Sequence, residues 1–251
     1  MEVTVLGTNG AWPSRSRPTS GYLLRHDGFN LCVDLGSGTL AALQEHIAIA
    51  DINGVVISHA HYDHFLDLYP LYVARYWHED DLPAIPLVAP TGFFDFLLRL
   101  VHSQERKGNF GSVYEPNEVE PGADAEVGPF RIQTTLLPHW VPNIGTRISA
   151  DGSVLTYTGD TGPSEEIERL ARGADLLITE ASWQQAPEGI EPFHLTARQA
   201  GDHAQRAEAR TLLLSHFWPT DDRNLSREQA AETYDGEMTV AEEGLRMEVG
   251  S

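Results

Sequence analysis

Apolar and polar positions alternate with a period of two through the opening residues Met1-Glu2-Val3-Thr4-Val5-Leu6, and strand-like runs recur along the chain. They predict strands over Val3–Leu6, Tyr22–Arg25, Leu31–Asp34, Gly54–Ser58 and Leu87–Ala89 in the first half. The second half carries Phe130–Leu137, Val154–Thr158, Asp175–Thr179, Thr211–Ser215 and Leu245–Val249. Helical spacing fills several of the intervals: Thr39–Ile47, Leu66–Trp77, Gly92–Val101, Ser164–Ala171, Thr196–Ala207 and Ser226–Tyr234. Two of these starts have the form of a capping box, an oxygen cap followed three residues later by an amide. They are Thr196 with Gln199 and Ser226 with Gln229. The acidic segment Glu115–Gly128, with two prolines, reads as a loop that joins the two halves. No linker, short repeat or low-complexity tract interrupts the pattern, so the expectation is one α/β domain over residues 1–251.

Length and composition change this picture little. A chain of 251 residues can bury a full core. Its single cysteine, Cys32, rules out an intrachain disulfide and fits a reducing compartment. The N-terminus has no basic segment followed by an apolar stretch, so a secretory leader is not expected. No run of about 18 apolar residues exists, so no membrane span is expected and the protein reads as cytoplasmic. Charge is more informative. A net charge of −20 repels polyanions, which disfavours long RNA or DNA as a partner. Solubility, or adaptation to a salty cytoplasm, accounts for the same charge without reference to any ligand.

The chemistry concentrates in a few loops. After the strand Gly54–Ser58 comes His59-Ala60-His61-Tyr62-Asp63-His64, with four metal-capable side chains in six residues. Packing gains nothing from such a run. A strand end followed by a helix start lets His59 and His61 converge on one point while Asp63 and His64 face a second. Three further candidates each lie just past an apolar strand, where the ligand loops of α/β proteins collect. They are His139 in Leu-Pro-His-Trp, Asp160 in Thr-Gly-Asp-Thr and His216 in Leu-Ser-His-Phe. Any one alone could be a cap or a surface residue. Their shared placement is what carries the reading.

The hexapeptide HxHxDH followed by His, Asp and His in this order resembles the metal signature of the metallo-β-lactamase superfamily, over nearly the whole chain. The resemblance implies a four-layer αββα sandwich with the site at one edge between two sheets. It implies two Zn2+ ions, with Mn2+ or Fe2+ as alternatives. His59, His61 and His139 would hold one, and Asp63, His64 and His216 the other, with Asp160 bridging. Asp34 in Val-Asp-Leu-Gly-Ser-Gly matches a carboxylate that orients a ligand histidine, and could equally be a turn residue. Lactamases of this fold carry a cysteine where Asp160 stands, so lactam hydrolysis is not expected. Thr179-Glu180-Ala181-Ser182 and His194-Leu195-Thr196-Ala197 resemble paired loops of the ribonuclease Z branch, where a glutamate and a histidine assist phosphodiester cleavage. The usual histidine before that glutamate is Thr179 here. Only about twenty residues separate His139 from Asp160, where tRNA-processing members insert a protruding arm. Ser20-Gly21-Tyr22-Leu23-Leu24, the Asp-Leu-Gly-Ser-Gly turn from Asp34, Gly159-Asp160-Thr161-Gly162, Glu180-Ala181-Ser182-Trp183 and His194-Leu195 resemble the compact, arm-less members of this branch, among them actinobacterial cyclic nucleotide phosphodiesterases.

The expectation is a dinuclear-zinc phosphodiesterase acting on a small-molecule substrate, a 3′,5′-cyclic nucleotide of the cyclic AMP type. Metal-bound hydroxide would attack phosphorus, with His194 as general acid, Glu180 tuning it, and Asp63 serving both metal and reaction. The alternatives are a ribonuclease Z-like endonuclease, a glyoxalase II-like thioesterase and a non-enzymatic binder. Tyr62, Trp140, Trp183, Phe217 and Trp218 sit beside the ligands in sequence and could stack on a base or simply pack. The remaining histidines (26, 46, 78, 102 and 203) read as solvated or structural. Homodimers are common among the proteins it resembles, and no stripe in the sequence decides the matter.

Overall fold

The computed structural model describes residues 1–102 and 110–250. The first half runs β1 (Glu2–Gly7), β2 (Gly21–His26), β3 (Phe29–Leu35), α1 (Thr39–Leu43), β4 (Gly54–Val56), α2 (Tyr62–Phe65), α3 (Leu68–Tyr76), β5 (Ile85–Pro90), α4 (Phe93–His102) and β6 (Tyr114–Val119). The second half runs β7 (Asp124–Val127), β8 (Phe130–Leu137), β9 (Asn143–Ala150), β10 (Ser153–Tyr157), α5 (Glu165–Ala171), β11 (Leu176–Glu180), α6 (Ala197–Arg206), β12 (Thr211–Ser215), α7 (Arg223–Ala231), β13 (Glu237–Val240) and β14 (Arg246–Glu248). Two seven-stranded mixed sheets result, ordered β14-β1-β2-β3-β4-β5-β6 and β13-β12-β11-β10-β9-β8-β7. Among the described residues no helix is long and apolar enough to cross a membrane.

The layers follow from the two-residue period of the strands. Val33 and Leu31 of β3 face the second sheet, while Cys32 between them faces outward onto the helices. In β12 the same alternation sends Leu213 inward and Leu212 and Leu214 outward. The inward set, with Phe130, Ile144, Leu155 and Ile178, forms the core between the sheets. Outward residues of the first sheet pack on Leu40, Leu71 and Phe93 of α1, α3 and α4, and those of the second on Ile167, Ala200 and Ala230 of α5, α6 and α7. The αββα sandwich expected from sequence is the observed architecture.

Several boundaries differ for local reasons. The expected loop Glu115–Gly128 contains β6 and β7, the end strands of the two sheets. Pro116 is tolerated because β6 pairs on one side only, with β5. The expected helix Leu66–Trp77 is broken before Leu68, where the Asp67 carboxylate accepts the Leu40 N–H at 2.8 Å and the Asp67 N–H reaches the Leu35 carbonyl at 2.9 Å. The helix expected from Ser226 starts at Arg223 under an Asp222 cap and ends at Ala231. Ser226 is buried inside it, so its capping box does not form. The box at Thr196 and Gln199 does. β9 was not anticipated; its mixed sequence Asn-Ile-Gly-Thr-Arg-Ile-Ser-Ala is held by β8 on one side and β10 on the other.

Candidate metal centre and active site

The strands end together. Asp34 lies in β3, His59 follows β4, Asp160 follows β10, Glu180 ends β11 and His216 follows β12. β3 and β4 run parallel, as do β10, β11 and β12, so their C-terminal ends open on one edge of the sandwich. His139 joins them two residues past the end of β8.

All seven residues expected as ligands meet there, in two groups. In the first, His61 Nδ1 lies 3.0 Å from His59 Nε2 and 3.1 Å from His139 Nε2. In the second, His216 Nε2 lies 3.1 Å from His64 Nε2 and 3.2 Å from Asp63 Oδ2. Asp160 stands between them. Its Oδ2 is 3.7 Å from His59 Nε2, and its Oδ1 is 3.2 Å from both His64 Nε2 and His216 Nε2. That Oδ1 is buried and makes no hydrogen bond of acceptable geometry. Ligand atoms bound tetrahedrally at 2.0–2.1 Å stand about 3.3 Å apart. Facing imidazole nitrogens at such spacings gain little from one another, because lone pairs converge, and a central cation relieves this. The donor set fits two divalent ions.

Each histidine of the cluster but one has its other nitrogen engaged, which sets the ring's orientation. Asp34 Oδ2 meets His64 Nδ1 at 2.7 Å and also accepts from the Tyr157 hydroxyl at 2.7 Å. The same carboxylate accepts the Ser58 N–H and hydroxyl at 2.7 and 2.8 Å. Of the two readings of Asp34, the structure supports an orienting carboxylate, held at a left-handed φ of 53°. Ser58 Oγ is 3.0 Å from His59 Nδ1, the Phe193 carbonyl 2.9 Å from His139 Nδ1, and Ser182 Oγ 2.8 Å from His216 Nδ1.

The electrostatics separate the two groups. Burial pushes His59 and His61 below the ordinary histidine range, and His139 down to about 4, so this trio is held as neutral donors. Burial also opposes charge on His64, but Asp160, Asp63 and Asp34 outweigh it and hold that ring well above the usual value. Burial works against ionised Asp160, yet His216 and His64 keep it well below the carboxylate range.

Glu180 and His194, expected as an assisting pair, are brought together. His194 Nδ1 lies 3.0 and 3.2 Å from the Glu180 oxygens and 3.9 Å from Asp160 Oδ2. Burial disfavours its protonation, but Glu180 and Asp160 raise it to about 9. The Thr161 N–H fixes the glutamate in turn, at 2.5 Å.

A cavity of about 380 Å3 opens beside the cluster, bordered by His61, Asp160, His194, Trp140, Trp183 and Trp218 among others. Tyr62 also lines it, so four of the five sequence-flagged aromatics are at the mouth. Phe217 is not: it is fully buried, under the Arg223 guanidinium at 4.7 Å. The Trp140 indole N–H points at His139 Nε2, 2.9 Å away. His26, His46, His78 and His203 lie outside the cluster, His203 half-paired with Glu168 at 3.2 Å; the side chain of His102 is outside the described residues.

Sequence reasoning missed the loop after β1. The Ala11 N–H donates to Asp63 Oδ2 at 2.6 Å, and Gly10 lies so close to the His216 ring that a Cβ would crowd it. The Gly-Thr-Asn-Gly run between two strands was the available signal. Tyr157 and Ser58 were hidden in strand patterns, and only Ser182 stood in a motif already marked.

Residues 30–217 match the model of the beta-lactamase superfamily domain. An uncharacterised protein of Mycobacterium tuberculosis is 36% identical over 94% of this chain and 88% of its own length. The probable metallo-hydrolase YhfI of Bacillus subtilis is 30% identical over 98% of both. The crystal structure of YhfI superposes with a TM-score of 0.88 at 26% identity, covering 99% of this chain and 98% of that one. Human tRNase Z, short form, superposes at 0.80 and 26% identity, covering 100% of both chains.

Proposed function

The chain belongs to the beta-lactamase superfamily and is a metallo-hydrolase of that fold, and from that premise we propose that it is a phosphodiesterase acting on 3′,5′-cyclic nucleotides. His59, His61 and His139 would hold one divalent ion, zinc being the first choice. Asp63, His64 and His216 would hold the second, with Asp160 shared. Bound ions supply Lewis acidity toward a phosphoryl oxygen and lower the pKa of water.

The observation that carries the reading is the His194–Glu180 pair, placed at the cavity beside Asp160. Hydrolysis of a cyclic phosphodiester forms a P–O bond to water's oxygen and breaks one to a ribose oxygen, which is strongly basic and needs a proton. With Nδ1 engaged by Glu180, His194 has Nε2 left to deliver it. Protonation well above the ordinary range keeps the donor loaded at neutral pH. Such assistance is typically worth about 10²–10⁴ in rate. A thioesterase reading accounts for the metal donors and leaves this pair without a task.

The size of the substrate is supported by the short connection from His139 to Asp160. It is filled by the hairpin of β9 and β10, closed at Asp151-Gly152, which leaves no projecting arm. Together with the net charge of −20, this favours a small diester over tRNA, the substrate class in the name of the human relative.

Hydrolysis of cyclic AMP by metal-loaded protein tests the proposal, with Asp160→Ala and His194→Ala alongside. The expected result is turnover by wild type, none by Asp160→Ala and a loss of at least two orders of magnitude in His194→Ala. Cleavage of bis(p-nitrophenyl) phosphate without any cleavage of cyclic AMP would sink the nucleotide assignment.

A further inference from the structure

Building on the phosphodiesterase reading, we infer that the cleft selects single diesters by aromatic stacking on both sides of the metal cluster and rejects substrates with a second phosphate. Phe193 and Trp218 are the specificity-determining residues.

One aromatic wall belongs to the His59–His61–His139 group. Trp140 stacks on Phe193 with centroids 4.2 Å apart and planes 26° apart. Trp183 meets the edge of Phe193 at 5.3 Å, and both rings touch His194, at 5.4 and 5.0 Å. The other wall belongs to the Asp63–His64–His216 group. Trp218 lines the cavity and is braced edge-on by Trp12, 4.9 Å away at 85°.

This second wall is built to stay in place. Trp12 follows the loop whose Ala11 N–H holds Asp63, and the Gly10 N–H donates to the Phe217 carbonyl at 2.8 Å. Arg223 ties the same loop down through the Thr8 hydroxyl at 2.8 Å and the Asn9 side chain at 2.9 Å. Rings fixed before binding lose little entropy when a base stacks on them.

The rest of the lining decides what else can enter. Among the described residues bordering the cavity there is no lysine or arginine, and the acids are Asp63 and Asp160. The metal pair serves the scissile phosphate. His194 is already engaged by Glu180 and assigned to the leaving group, so a second phosphate would find no arginine or lysine in the described lining, and these are the strong charged partners of phosphate away from metal. Proteins that bind single strands combine stacking rings with a basic groove. Here the rings are present without the groove, inside a chain of net charge −20.

The test compares the metal-loaded full chain with Trp218→Ala, Trp218→Phe and Phe193→Ala on two substrates: adenylyl-(3′→5′)-adenosine, with one diester and two bases, and the same molecule bearing a 5′-phosphate. Trp218→Ala and Phe193→Ala should each raise KM by roughly 5- to 150-fold, with kcat moved far less, and Trp218→Phe should recover most of the loss. The 5′-phosphate should lower kcat/KM at least tenfold. Equal handling of the two substrates, or an unchanged KM in both alanine variants, overturns the inference. Titration of tryptophan fluorescence separates the two readings. If neither dinucleotide nor cyclic AMP turns over but the unphosphorylated dinucleotide binds at least tenfold tighter than its 5′-phosphate, the phosphodiesterase reading fails and the selectivity stands; equal or absent binding overturns the selectivity.

Discussion

Replacing Gly10 with alanine isolates the contribution of the loop after β1 to the metal centre. A Cβ at this position would stand 2.7 Å from His216 Cε1, 2.9 Å from Nδ1 and 3.1 Å from Nε2. Carbon atoms in contact prefer about 3.5–4.0 Å, so one partner must give by about 0.8 Å. His216 has little freedom to do so. Its Nδ1 is held by Ser182 at 2.8 Å, and its backbone already sits at a left-handed φ of 50°. The loop is equally confined, with the Gly10 N–H on the Phe217 carbonyl at 2.8 Å. Metal–ligand distances tolerate about 0.2 Å, so either movement spoils the second group as a site. The expected outcome is a loss of about 10–100-fold or more in zinc affinity for one of two sites, with the first group little changed. Overpacking should also cost about 1–3 kcal/mol of stability in the metal-free protein. Zinc titration against a competing chelator, with His216→Ala as the reference for full loss of a ligand, reads the two affinities separately. Two ions bound with wild-type affinity by Gly10→Ala would refute the argument that this glycine shapes the site.

Other perturbations probe different links. Glu180→Gln removes the carboxylate that favours protonated His194 against burial, so the alkaline limb of the pH–rate profile should move to lower pH than in wild type at the same metal loading; an unmoved limb would show that His194 is not the acid. Because the Trp140 indole N–H occupies the His139 nitrogen that faces the site, zinc binding should displace it and change tryptophan fluorescence. Trp140→Phe should abolish most of that change, and an undiminished signal would contradict the displacement. Leu213→Ala empties a position between the sheets and should cost about 2–5 kcal/mol, lowering Tm by roughly 5–20 °C. Leu136→Ala on the exposed face of β8 should stay within about 0.5 kcal/mol, and equal losses by calorimetry would discredit the layer assignment.

Local order along the chain was enough for the features that depend on near neighbours. The two-residue period in Leu31–Val33 and Leu212–Leu214 states which side chains face opposite ways, because successive Cβ atoms of a strand must. The hexapeptide His59–His64 carries four donors whose only sensible use is shared. The capping box at Thr196 needs nothing beyond one helical turn. Edge strands β6, β7 and β13 were hidden because a strand paired on one side needs no strong apolar pattern. Ser226 was expected to start α7, but it is buried inside the helix, which begins at Arg223 under an Asp222 cap. The site itself lies beyond local reach. His139 meets His61 across 78 positions of sequence and His64 meets His216 across 152. Nothing in the one-dimensional pattern sets Gly10 against His216, Tyr157 on Asp34, or Phe217 away from the mouth. Those relations exist only once two sheets pack and their strand ends share one edge, since contacts between distant segments follow from strand order and layer packing, which no short window of residues contains.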